Sequence, residues 1–301
     1  MNIREEMRRR AIEPEVISAA RYYVGTPDGN FFKSGEFSDE IVNAPKAYIT
    51  INTIIGEEGT EESRFKEGKK QIPDFFTKKG IEKIIQLYKV LFYYGLRNKV
   101  RTQFTTQACR RTQEIETGML QAFSSTTKNS IEEIMKLGYG DKINLAICKY
   151  IIEKGAVVFD MEMLGEEYKK PEEREVLLLM GNRLESKKMG VSKYTGKDGK
   201  KASIFQIRVN APKFEDICKS DEEIENLKSI IYDDNILKEI KAFFERLNET
   251  EKSFPEIPEN YIQWKKSFKK YVYTELNKIM EMEKRTVPFS RGGEYERTIS
   301  I

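Results

Sequence analysis

An α+β fold with a strand-rich middle and a helical C-terminal extension is what the sequence predicts. Apolar residues recur at helical spacing in residues 78–94 and again from about Asp216 onward. Between them, after Gly155, the period shortens to two: Val157, Phe159, Met161 and Met163 alternate with Val158, Asp160 and Glu162.

The elements follow in order. Gly25 to Gly35 is turn-rich, and Ala47 to Ile55 has the β-branched content of a strand. Ile81, Ile84, Ile85, Tyr88 and Phe92 define a helix. Arg101 to Arg111, rich in threonine and glutamine, reads as a strand, and after a turn at Gly118 the segment Met119 to Thr127 reads as a second. Ser130 is placed to cap a helix over Ile131 to Leu137, with Glu132 and Glu133 in its first turn. Ile143, Ala146, Ile147, Tyr150 and Ile151 define a further helix. After the alternating strand and a charged loop, Val176 to Met180 is short and continuously apolar, as a buried strand would be. Val191 and Ile204 to Val209 flank the turn-forming TGKDGKK as a hairpin. Two stripes close the chain, Ile236–Ile240–Phe243–Phe244–Leu247 and Tyr261–Trp264–Phe268–Tyr271–Val272. The expected organisation is an N-terminal region over 1–75 packing on the core, a core over 76–215 and a helical extension over 216–301.

Composition narrows the chemistry. The 301 residues contain no histidine. That removes Ser-His-Asp and Cys-His nucleophilic pairs, HExxH sites and imidazole acid–base catalysis together. Cys109, Cys148 and Cys218 are odd in number and far apart, which indicates neither a disulfide framework nor zinc, and suits a reducing cytoplasm. No apolar run reaches membrane-spanning length and no secretory signal opens the sequence, so a cytoplasmic protein without a membrane partner is expected. The net charge of +3 names no partner. Arg8 to Arg10 and Lys265, Lys266, Lys269 and Lys270 are basic clusters, expected to be solvated helix faces, with nucleic acid or an acidic partner as the other reading.

Two motifs carry chemistry: Phe123-Ser124-Ser125-Thr126-Thr127 at a strand end, and Glu173-Arg174-Glu175 directly before Val176. In an extended segment Glu173 and Glu175 would emerge on one face. Two carboxylates beside a buried strand repel each other and lose hydration, for which folding alone offers no reason.

FSSTT followed by EREVLLL resembles the R-S-E, cholera-toxin-like class of ADP-ribosyltransferases, which includes bacterial and phage mono-ADP-ribosyltransferase toxins. The pattern of that class is an arginine on a first strand, F-x-S-T-S on the next, and E-x-E before an aliphatic strand. Ser125, Thr126 and Thr127 match S-T-S with threonine last, Glu173 and Glu175 match E-x-E, and the separation is 175 − 125 = 50 residues. The resemblance covers about residues 105–185. For the arginine, Arg110 is the first candidate and Arg111 the next, while Phe92-Tyr93-Tyr94-Gly95 resembles the family phrase with tyrosine in the arginine's place.

The resemblance implies a core of two small packed sheets with peripheral helices, NAD⁺ as substrate and no metal. It implies Glu175 as the catalytic carboxylate, stabilising an oxocarbenium-like transition state and holding the ribose 2′-hydroxyl. Ser125 would orient Glu175 and line the nicotinamide-ribose pocket, with Thr126 supporting that strand. Arg110 would pair with the diphosphate, and Glu173 would position or deprotonate the nucleophile. The loop Leu164 to Glu172, with Tyr168, Lys169 and Lys170, would touch the target. A leading glutamate goes with a nitrogen acceptor, either protein arginine or a nucleobase amine of RNA or DNA. A toxin held by an inhibitor or antitoxin protein, a translocated effector acting in a host cytosol, and a phage-defence or phage-encoded modifier all suit such an enzyme. Two other readings stand beside it: an NAD⁺ glycohydrolase on the same scaffold, and a non-enzymatic basic helical binding protein.

Overall fold

The computed structural model describes residues 56, 76–110, 117–136, 145–163, 171–249 and 255–286. The expected turn at Gly25 to Gly35, the strand Ala47 to Ile55, the cluster Arg8 to Arg10 and the whole region 1–75 except Gly56 lie outside the described residues.

Five α-helices and eight strands make up the described fold: α1 (Lys78–Arg97), β1 (Phe104–Arg110), β2 (Gly118–Met119), β3 (Ser124–Thr127), α2 (Ile131–Ile134), β4 (Ala146–Ile152), β5 (Val158–Asp160), β6 (Glu175–Leu178), β7 (Arg183–Thr195), β8 (Lys201–Asn210), α3 (Asp221–Ile231), α4 (Asp234–Glu249) and α5 (Glu259–Thr286). The mixed α+β character and the C-terminal helices match the expectation. The capping box at Ser130 is formed as well: its hydroxyl accepts from the Glu133 amide and the Glu133 carboxylate accepts from the Ser130 amide.

Three element assignments change. The helix expected over Ile143 to Ile151 is not formed where it is described: Ala146–Ile152 is β4, paired antiparallel with β1 and parallel with β8, and Ile143 lies outside the described residues. A strand between two neighbours with both faces covered loses its polar alternation, and in Ala146, Ile147 and Tyr150 that loss imitates a helical stripe. The β-branched Ile147, Ile151 and Ile152 are its strand signature. Met119 to Thr127 is not one strand but two, β2 and β3, with Leu120 to Phe123 between them. The strand after Gly155 stops at Asp160 and continues as a single 3-10 turn over residues 161–163.

All eight strands form one hydrogen-bonded sheet, in the order β2-β7-β8-β4-β1-β3-β6-β5, where two sheets were expected. The expectation survives in the packing. The five-stranded half (β2 to β1) and the three-stranded half (β3, β6, β5) meet through one register pair, Gln107 with Thr127. Leu178 and Val158, cross-strand partners in the small half, share a buried cluster with Ala108, Cys148, Tyr150 and Phe205 of the large half. The sheet is thus continuous in hydrogen bonds but closed upon itself in its core.

The other face of the small half, Leu177 and Phe159, belongs to a second cluster with α1 and α3 to α5. Gly95 permits that approach: a Cβ there would lie 2.7 Å from the Leu179 side chain and 2.8 Å from that of Val157. Phe76 stacks on Phe244 with ring centroids 4.9 Å apart, and the Trp264 indole, stacked on Phe268, donates to the Ile231 carbonyl at 3.0 Å. The lysine cluster of α5 is therefore not a solvated face. Lys265 is buried, Lys269 donates to Gln121 at 2.8 Å, Lys270 lies 3.5 Å from Asp216, and Lys266 alone of the four is exposed. Tyr261, Trp264 and Phe268 of the same segment are fully buried, so charge and burial share one helix.

Candidate active site

The strand β6 fixes the site. Val176 to Met180 are fully buried, and the ladder to β3 aligns Ser124 with Leu178, Ser125 with Leu177, Thr126 with Val176 and Thr127 with Glu175. Opposed residues share a face. Ser125, Thr127 and Glu175 therefore lie on one face, and Ser124, Thr126 and Val176 on the other. Ser125 is exposed and Glu175 half-buried. Thr126 is buried and its hydroxyl donates to the Val176 carbonyl at 2.9 Å, so it ties the two strands together.

Glu173 and Glu175 are not an extended pair. Glu173 ends a 3-10 turn over Pro171–Glu173, Arg174 has a left-handed φ of 45°, and the strand begins at Glu175. A left-handed arginine is strained and persists where its surroundings over-determine it. Here they do. The end of β3 holds three successive carbonyls of the turn: the Asn129 side-chain amide donates to Glu172 O at 2.7 Å, the Thr127 hydroxyl to Glu173 O at 2.5 Å, and the Lys128 amide to Arg174 O at 3.1 Å. The Thr127 oxygen also accepts from the Asn129 amide at 3.0 Å. The motif reading missed Asn129 and Lys128. A backbone clamp has no local sequence pattern, since its acceptors are carbonyls more than forty residues away by these same contacts.

Ionic contacts back the turn. The Lys128 ammonium lies 2.5 Å from both Asp160 and Glu162, and Arg174 Nε lies 3.0 Å from Glu162. Burial alone would lower the Lys128 pKa, but its hydrogen bonds to Asp160 and Glu162 outweigh that and raise it. The hydrogen bonds from Lys128 and Arg174 hold the Glu162 carboxyl below its usual range.

Arg110 stands on the other face from Glu175. Gln107 opposes Thr127, so the even-numbered side chains of β1 share the side of Ser124. Arg110 Nη2 donates to Ser124 Oγ at 2.7 Å, to the Ser125 carbonyl at 2.8 Å and to Tyr150 Oη at 3.1 Å, and Nε reaches the same phenol at 3.3 Å. The guanidinium thus joins β1, β4 and the serine strand. Tyr150 was read only as an apolar position; its partnership with Arg110 follows from the register Thr106 with Tyr150 and Ala108 with Cys148. Burial pushes the neighbouring Cys148 thiol up to about 11, which makes it a poor nucleophile. Tyr94 lies in α1, its hydroxyl 3.7 Å from Met163 sulfur and its ring 5.5 Å from Phe159. Arg111, Tyr168, Lys169 and Lys170 lie outside the described residues.

Among the described residues no cluster of three or more cysteine, aspartate or glutamate side chains could hold a metal ion, and no helix is long and apolar enough to cross a membrane.

No family model and no curated protein matches the chain. Among solved structures the chain is similar to the ADP-ribosyltransferase Vis, solved in complex with M6 inhibitor: 12% identity, 71% of this chain, 86% of that chain and a TM-score of 0.26. It is also similar to the ADP-ribosylating toxin BECa of a binary enterotoxin of C. perfringens, solved with NADH: 15% identity, 73% of this chain, 58% of that chain and a TM-score of 0.29. The chain thus spans less than two thirds of the BECa chain.

Proposed function

We propose that the chain is an NAD-dependent mono-ADP-ribosyltransferase acting on a nitrogen nucleophile of a macromolecule, as an intracellular toxin or defence enzyme. The observation that carries this reading is the clamp from Thr127, Lys128 and Asn129 onto the three carbonyls ahead of Glu175. A strained turn held this firmly between two glutamates gives no stability that an ordinary turn would not give. It does fix a carboxylate on the same face as the exposed Ser125 hydroxyl, and a fixed carboxylate is what a charge-stabilised transition state requires.

In this reading Glu175 faces the ribose. The C1′–N bond breaks with its electron pair leaving on nicotinamide, which departs neutral. The positive charge that develops on the ribose is stabilised by the Glu175 carboxylate, which also accepts from the 2′-hydroxyl. The acceptor nitrogen bonds to C1′ and gives its proton to the Glu173 carboxylate. Ser125, one register step from Glu175 on the same face, lines the ribose side. Arg110, on the opposite face from Glu175, acts as a positioning residue that fixes the serine strand through Ser124 Oγ and the Ser125 carbonyl.

Radiolabelled NAD⁺ and a cell lysate, treated with protease or nuclease, test the reading. Glu175→Ala is expected to lower label transfer by about 10²–10³. Glu173→Ala is expected to spare NAD⁺ hydrolysis more than transfer. Unchanged transfer by folded Glu175→Ala would refute the proposal.

A further inference from the structure

The hairpin of β7 and β8 carries charge that the proposed chemistry does not use. Between residues 187 and 201 stand Lys187, Lys188, Lys193, Lys197, Lys200 and Lys201, all exposed, against the single acid Asp198. Asp198 accepts from the Lys200 amide at 3.1 Å through Oδ1, while its Oδ2 is buried with no hydrogen-bond partner. Of the acids outside it, Glu132 lies 3.8 Å from Lys193 and accepts from the Tyr194 hydroxyl, and Glu185 accepts from Asn210. Among the described residues Lys187, Lys188, Lys200 and Lys201 have no ion pair.

Lysines on an open sheet edge keep other strands from pairing, and so does a bulge such as the one between Lys188 and Gly190. Edge protection accounts for Lys187 and Lys193. It extends to Lys201, which lies beyond the stretch of β8 paired with β4 (Ser203 to Val209), but it does not account for Lys200, in the turn. The register adds a second observation. Glu175, Thr127, Gln107, Lys149, Gln206 and Lys187 are successive cross-strand partners, so one polar row runs on one face of the sheet from the glutamate turn to the hairpin. Its five strand steps amount to about 24 Å along the sheet. Lys149 on this row is exposed. Met189 and Val191 are 54% and 62% exposed on the same hairpin.

We infer that this row and hairpin form the docking surface for the phosphate backbone of a nucleic acid, which makes the acceptor RNA or DNA. Lys149 and Lys187 on the row, with Lys188 and Lys201 on the opposite face of the hairpin and Lys197 and Lys200 at its tip, suit a flexible strand with a charge on every residue that wraps the hairpin, and the exposed Met189 and Val191 offer faces for unstacked bases. The part of this inference that concerns the acceptor rests on the transferase reading; the binding does not.

Fluorescence anisotropy of the full chain tests it, with labelled RNA and DNA strands of roughly 12 nucleotides. A poly-glutamate peptide and phosphatidylserine vesicles serve as other polyanions. Lys187→Ala/Lys200→Ala/Lys201→Ala is compared with Lys213→Ala/Lys219→Ala/Lys238→Ala, which removes three exposed lysines elsewhere; equal melting temperatures establish that both fold. The hairpin variant is expected to bind RNA or DNA at least tenfold more weakly, its log–log salt slope smaller by about 2. The other variant should stay within about twofold, as a contribution limited to bulk charge screening predicts. Binding by RNA, DNA or both supports the inference and identifies the strand. Absent binding by the native protein, equal losses in both variants, or hairpin-dependent binding of only the peptide or vesicles would overturn it. Nicotinamide release from NAD⁺, assayed without nucleic acid, reports on the transferase reading separately.

Discussion

The two halves of the sheet put similar strand chemistry to opposite uses. In the small half, β6 is covered on both sides, Leu177 against the helices and Leu178 against the large half, and Val176 to Met180 have no exposure. In the large half, β7 pairs with β2 only at Arg183 and Leu184, and beyond them it is an open, lysine-bearing edge. The small half spends its residues on holding one turn still. The large half leaves its residues to solvent. Rigid positioning and exposed charge are thereby kept on separate strands of one sheet.

The largest effect expected from this contrast concerns Asn182, buried in the link between β6 and β7. Its side chain accepts from the Val157 amide at 2.9 Å and donates to the Val157 and Leu179 carbonyls at 2.6 and 2.8 Å. Asn182→Ala takes the partner from the buried Val157 amide and Leu179 carbonyl and leaves the Val157 carbonyl only the Leu179 amide, and should cost about 3 kcal/mol in urea unfolding. Val191→Ala on the hairpin should change it by less than about 0.5 kcal/mol. Comparable losses in the two variants would erase the distinction between the halves.

Asn129→Ala is the next probe. Losing the hydrogen bond to Glu172 O should cost about 1 kcal/mol, while nicotinamide release falls by about tenfold or more because the turn is no longer held in its productive geometry. A melting shift with normal turnover would make Asn129 a merely structural residue.

The smallest effect is a pH dependence. The Glu162 carboxyl is depressed by its hydrogen bonds to Lys128 and Arg174 from an ordinary 4.5. A depressed carboxyl stabilises the fold above its unfolded pKa and loses that contribution as pH falls through the folded one. Lys128, raised above 10.5, keeps its contribution below that value and loses it as pH rises further. The melting difference between native protein and Glu162→Gln should therefore be constant from about pH 6 to 9 and shrink below about pH 4. Growth of the difference on acidification would contradict the network.

Much of this was legible in the sequence. The continuous apolar run Val176 to Met180 announced a strand buried on both faces, and the hydroxyl run Ser124 to Thr127 its neighbour. The hairpin was marked by its turn residues, and Ser130 by its capping box. Residues 143–151 misled, since burial on both faces erased the alternation that identifies a strand. The extended form expected of Glu173 to Glu175 also failed, because the left-handed Arg174 is imposed by Thr127, Lys128 and Asn129 across the fold. Likewise Lys265 read as a surface lysine, and only the packing of α5 against the other helices buries it.

Nicotinamide release from NAD⁺ by the native chain and by Glu175→Gln tests the central claim most directly, because it follows bond cleavage whatever the acceptor. The account predicts release by the native protein and a fall of about 10²–10³ in the variant, at an unchanged melting temperature. Equal rates in the two folded proteins would contradict it.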